Sequence, residues 1–397
     1  MSFFCSRLGL RVVNRHNSNS GAKEFVLSLL NKSDKTLSNH QTQKFMGDPV
    51  AELRNIKVLD INGESVKHIN IYSTDFEAHS TLQGHGGQSC VKPSFLCLIS
   101  QSELQNHSKG PHNFKTVKCE HRDLDSSNTN FLKQVNRGRK GSNRFGSIDE
   151  FESRVDTLEE LDWERQFRTH SKKYNSIIGP DKTGVDGIDL VCPGGVHIII
   201  GLVNNAYKEL IGELEKDDLK EVADEVKKVV EKPKRSGGCG ATPGKAHGGD
   251  LNGGDCLDIV IKNERLFIVI PDSWVRKQDW LDYFSCLKSV LPPLNKCRFW
   301  SDPEIVTFEE NILTLSKVIQ KSFPKRSITI KAHYLLVHTI SFIKRFRTYG
   351  LFNEQALENL HQVMFRDETK YIHLNKQEEL KLGSTMDFQN IGALLEK

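Results

Sequence analysis

The sequence lacks any apolar run near the ~20 residues that a bilayer-spanning helix needs; "VHIIIGLV" (Val196–Val203) is far too short. That excludes a membrane-spanning helical protein. Apolar residues are scarce overall, at 37% against 27% charged, so a core is expected alongside long solvated stretches. The nine cysteines are odd in number and scattered, and no secretory signal is recognisable. Free thiols in a reducing compartment are therefore expected rather than a disulfide framework. No acid precedes Glu24, while Arg7, Arg11 and Arg15 recur four apart among serines. That start suits either a mitochondrial transit helix or an unstructured segment. A nuclear or cytoplasmic location is the leading expectation and a mitochondrial one the alternative.

Two familiar motifs are also missing. The loop "SGGCGATPGKAHGGDLNGGD" (Ser236–Asp255) resembles a phosphate loop, but Gly238 stands one residue too far from Gly244 and Gly240 one too near. Ala246 follows Lys245 where a Ser or Thr must hold magnesium. Nucleotide binding there is excluded. Glu354, Glu358 and His361 share one helix face at i, i+4 and i+7. They could hold a divalent ion, yet a di-iron bundle needs a second Glu-x-x-His that the chain does not have.

The organisation can be read in six parts. Residues 1–50 are polar, with one helix candidate, Glu24–Leu30. Residues 51–100 hold two apolar runs flanking Asn62-Gly63, the strongest short hairpin signal, followed by a glycine-rich, degenerate zinc-knuckle loop ending at Cys97. Residues 101–146 are rich in Ser, Asn, His and Lys and are read as a flexible basic loop. Residues 147–235 are helical, opened by a Ser147/Glu150 capping box and broken near Asp217. Residues 236–255 form a Gly-rich loop, and 256–397 are again largely helical. The fold class is thus α/β with a predominantly helical C-terminal part.

Three groups of residues could carry function. Cys97, Cys119 and His121 offer soft ligands for a zinc ion at Cys97, although their spacing matches no standard pattern and an ordinary polar loop is the alternative. Arg137, Arg139, Lys140 and Arg144, and separately Lys344, Arg345 and Arg347, are basic clusters that could contact nucleic acid or merely keep a surface soluble. The net charge of +4 does not choose between these.

Several segments, in order, resemble a family of transposable-element-derived proteins found in many copies in invertebrate genomes. They are "INIYSTDFEAHSTLQGHGGQSCVKPSFLCL", "CPGGVHIIIGLVNNAYKEL", "HGGDLNGGDCLDIVIKN" and "KAHYLLVHTISFIKRFRTYGLFNEQALENLHQ". The resemblance runs from about residue 51 to the C-terminus and matches poorly around 101–145. It implies a DDE-type transposase ancestry, with a partial RNase-H-like core and a long helical insertion. In that chemistry acidic residues hold two magnesium or manganese ions; by position these would be Asp75 and Glu358, or Glu354 in place of Glu358. The chain departs from the family where it matters. It shows no first catalytic acid, Thr74 replaces the Gly before Asp75, Asn353 replaces a Ser, and Ser94 stands where the knuckle's first cysteine belongs. The expected function is therefore a catalytically inactive, transposon-derived intracellular protein that binds nucleic acid, DNA above all, or protein. An active metal-dependent transposase or nuclease and a helical interaction module are the alternatives. Oligomeric state is not legible.

Overall fold

The computed structural model describes residues 5–11, 24–31, 58–61, 64–67, 72–74, 76–105, 110–154, 167–168, 170–181, 191–241 and 251–352. They belong to two compact units. Met1–Gln101, Cys119–Val191 and Glu354–Lys397 make up the first, and Ser102–Lys118 with Cys192–Asn353 the second.

In the first unit β1 (Cys5–Arg11) pairs antiparallel with β2 (Glu24–Asn31). This corrects one expectation: the helix candidate Glu24–Leu30 is a strand. "EFVLSLLN" carries apolar residues at both helical and strand spacings, and pairing with a second strand decides between them. The Asn62-Gly63 hairpin forms as expected. β3 (Val58–Ile61) and β4 (Glu64–Lys67) pair antiparallel with Ile61 opposite Glu64, and Asn62-Gly63 between them lies outside the described residues. A short strand β5 (Tyr72–Thr74) precedes α1 (Phe76–Leu82).

Residues 101–146 are not all loop. Leu124–Val135 forms α2, capped by Asp123, whose Oδ1 accepts from Ser126 N at 2.6 Å. Phe131 and Val135 lie one turn apart and are buried. They pack with Phe145, Phe151 and Ile177 into the unit's aromatic core, Phe131 meeting Phe151 edge-on at 5.0 Å. Phe151 comes from α3 (Ile148–Arg154), which starts at the expected cap: Ser147 Oγ accepts from Glu150 N at 3.1 Å. Ser171–Tyr174, the far end of the expected helix, is a single 3₁₀ turn.

Among the described residues of the second unit the elements are helical apart from its share of a three-residue strand, β6 (Val191–Pro193). There follow α4 (Gly195–Lys216), α5 (Lys220–Glu231), α6 (Gly253–Ile261), α7 (Glu264–Ile268), α8 (Lys277–Leu294) and α9 (Asp302–Ser322). The expected break falls at Asp217, with Asp218 in a left-handed conformation at φ +60°. On α5 only Ala223, Val226 and Val230 are buried, so its charged faces meet solvent. Trp280 and Tyr283 of α8 close on Phe323 with centroids 4.7 and 5.4 Å apart, and the Trp280 indole donates to Glu213 at 2.8 Å. The last helix begins as α10 (Ile330–His333), widens into a π-turn over Tyr334–His338, and resumes as α11 (Thr339–Phe346).

Among the described residues no sheet has more than two strands. The described residues are helix-rich, and no RNase-H-like core is shown among them. No helix among the described residues is long and apolar enough to cross a membrane.

Candidate metal centre

The stretch leading to Cys97 is built by turns. His85 bridges Ile177, and its ring is sealed: Nε2 donates to Lys92 O at 2.9 Å and Nδ1 accepts from Gly87 N at 3.0 Å. Burial, reinforced by the Arg122 guanidinium, pushes its pKa down to about 3. The folded state thus keeps this ring neutral, while the unfolded chain takes up a proton below 6.5. Between about 3 and 6.5 the unfolded state binds more protons, so acidification through that window removes stability, by at most about 1.4 kcal/mol per pH unit. Denaturant midpoints followed against pH should therefore fall less steeply for His85→Gln than for the parent; equal slopes would assign the acid sensitivity to other groups.

Ser94, where the resemblance led to the expectation of a cysteine, is fully buried. Its Oγ accepts from the amides of Leu96 and Cys97, both at 3.1 Å. The hydroxyl therefore holds the turn that presents Cys97 and is not directed at a metal. Ser94→Ala leaves two amides unpaired and should cost about 1 to 2 kcal/mol in urea unfolding. Ser94→Cys should leave the metal content unchanged; an added equivalent would make it a lost ligand.

Cys97 is then fixed by a bridge to His121, with Leu98 N donating to Glu120 O at 2.9 Å and Arg122 N to Leu96 O at 3.0 Å. His333 and His338 are placed by the π-turn. Thr339 N reaches back five residues to Tyr334 O. In an α-helix residues five apart diverge by about 140°; a turn closed over five residues brings them nearly into line. His333 Nε2 and His338 Nε2 stand 3.0 Å apart, their rings at 84°.

Cys97 and Cys119 belong to the first unit, and His333 and His338 to the second. Cys97, His333 and His338 are buried and Cys119 is half-buried. Two thiolates with two imidazoles form a standard structural zinc set, and this cluster could hold such a metal.

Of the expected ligands, Cys97 and Cys119 are brought together, whereas His121 is exposed and outside the group. The histidines that sequence reasoning missed are His333 and His338, whose His-x₄-His spacing is half of a zinc-finger pattern. Asp75, Glu354 and Glu358, the acids expected to hold magnesium or manganese, lie outside the described residues, as does His361.

Arg137, Arg139, Lys140 and Arg144 are exposed on the turn after α2, with Arg139 stacked over Phe145 at 4.9 Å. The second basic cluster is committed elsewhere. Lys344 pairs with Glu309, Arg347 bridges Trp300 O at 3.1 Å and Asp302 at 2.6 Å, and Arg345 lies over Phe346 at 5.4 Å.

No family model matches the chain, and no curated protein sequence matches it either. The transposase-like resemblance therefore stands on its four segments alone.

Proposed function

We propose that the chain is a non-catalytic binding protein organised by a structural zinc ion at Cys97, Cys119, His333 and His338. The observations that carry this reading are a buried Cys97 and half-buried Cys119 in one unit and, in the other, buried His333 and His338 with their Nε2 atoms 3.0 Å apart. Four protein ligands fill a tetrahedral shell and leave no position for a reacting water, which favours a structural ion over a catalytic one. Protein purified without added metal should contain one zinc per chain by elemental analysis, and none after Cys97→Ala. A parent chain that stays metal-free when zinc is supplied would sink the reading.

A transposon-derived ancestry remains part of this proposal, with nucleic acid as the partner. The observation that favours nucleic acid is the exposed turn bearing Arg137, Arg139, Lys140 and Arg144, around which no ion pair to an acid is found among the described residues. Four phosphate contacts correspond to a salt slope of about −3 to −4 in log K against log salt. Replacing the four by alanine should flatten the dependence of DNA binding on salt towards zero. Unchanged slope in that variant would move the contact elsewhere.

A further inference from the structure

His112 belongs to none of the groups described above, and it is buried. Its Nε2 lies 2.9 Å from His333 Nδ1, on the side of the His333 ring away from His338, and the two rings meet edge to face at 64°. The segment around it is pinned to the helix that carries His333. Phe114 N donates to Leu336 O inside the π-turn at 2.9 Å, and Asn113 Nδ2 donates to Ser316 Oγ of α9 at 2.9 Å. Asn113 Oδ1 also accepts from Lys115 N at 2.9 Å, which fixes the local turn. His112 is thus held in place by its neighbours on either side in the chain.

A neutral imidazole carries one proton, and the nitrogen that lacks it is the one a metal can take. His333 Nε2 faces His338 Nε2, so Nε2 is the nitrogen in position to ligate. The His333 proton must then reside on Nδ1, and the atom waiting there is His112 Nε2. Metal-bound histidines generally donate their second N–H to a fixed acceptor, which orients the ring and raises its basicity. Here the acceptor is another imidazole rather than a carboxylate.

We propose that His112 is the positioning residue of the metal centre. By accepting the Nδ1 proton of His333 it selects the tautomer that presents Nε2 to the ion. The inference rests on the zinc reading of Cys97, Cys119, His333 and His338 and goes one shell beyond it. It also explains why a segment far from α10 in sequence is anchored by its backbone to the π-turn: the acceptor has to keep one distance from one ring.

The test compares His112→Phe, which keeps a flat ring and removes the acceptor, with His112→Gln, whose side-chain carbonyl can still accept. Zinc affinity of the full-length chain is measured by competition with a chelator, and stability is measured on the metal-free protein. His112→Phe should bind zinc about 10–100-fold more weakly than the parent, and His112→Gln should recover most of that loss. The metal-free stabilities of the two variants should be alike. Nitrogen-15 spectra of the zinc-loaded parent should show His333 protonated at Nδ1, with that signal lost or exchange-broadened in His112→Phe. Equal zinc affinity in parent and His112→Phe would overturn the inference while leaving the zinc site intact. Equal loss in both variants would reduce His112 to packing and overturn it too. A parent chain that binds no zinc is a separate result, and it removes the site on which the inference rests.

Discussion

Cys97→Ala and His338→Ala should each destabilise the protein by about 4 kcal/mol, the linkage value for an ion present at 1,000 times its dissociation constant. For a folded unit of this size that corresponds to a melting transition roughly 10 °C lower. The loss has one origin in both variants. With three ligands left, a buried site no longer satisfies the ion, and the binding free energy that favoured the folded chain disappears. A chelator should lower the parent's melting temperature by a similar amount and leave both variants where they are. His121→Ala is the contrasting variant, because His121 is exposed and outside the cluster; its melting temperature and its response to chelator should match the parent's. If chelator leaves the parent unchanged, no ion contributes to stability.

Gly84→Ala is expected to be nearly as damaging, and for a different reason. Gly84 has φ +61°, a conformation that disfavours side chains, and a Cβ placed there would meet Gly179 O at 2.0 Å. The colliding atom is backbone, and it cannot turn aside. Gly84 O accepts from Ile178 N at 2.7 Å and Gly179 N at 3.0 Å, so separating the two strands of chain would break both bonds. Next to them Ile177 forms part of the aromatic core. Strain from φ and overlap together should cost about 3 kcal/mol. Gly87 provides the comparison within the same loop. Its φ is +91°, but nothing lies within 4 Å of a built Cβ, so Gly87→Ala should cost only about 1 kcal/mol. Equal losses at the two positions in urea unfolding would show that backbone conformation, not the close approach of Gly179, governs this loop.

Features encoded over a few residues were legible in the sequence. Asn62-Gly63 is a hairpin signal because of the φ values those residue types tolerate, and β3 and β4 pair antiparallel on either side of it. Ser147 and Glu150 mark a helix start because the serine oxygen can meet a free amide, and it does. The helices from Gly195 onward follow their apolar spacing and the break at Asp217. Helix α2 was hidden because "DLDSSNTNFLKQV" is polar for most of its length. Its signals are a capping aspartate and two core residues, Phe131 and Val135, four apart.

The proposed metal ligands were legible only by half. Cys97 and Cys119 could be suspected from their residue type, but their distance along the chain fits no ligand pattern. His333 and His338 lie in "HYLLVH", a stretch that reads as an apolar helix face. Ideal α geometry turns those two imidazoles away from each other, and only the local π-turn aligns them. No periodicity argument foresees that, because the turn depends on contacts such as Phe114 N to Leu336 O made from another part of the chain. Ser94 shows the converse case. A missing cysteine suggested a decayed knuckle, whereas the serine oxygen caps the turn that sets Cys97 in place.

Cobalt substitution tests the central claim most directly. Cobalt(II) in a tetrahedral site of two thiolates and two imidazoles gives intense visible bands and a thiolate-to-metal charge-transfer band. Titration of the metal-free chain should produce both, saturating at one equivalent and displaced by zinc. Replacing His338 by alanine should remove or reshape the visible bands, and replacing Cys97 should weaken the charge-transfer band. A parent chain showing only the weak spectrum of octahedral cobalt, or the same spectrum after either replacement, would contradict the assignment of Cys97, Cys119, His333 and His338 as a metal centre.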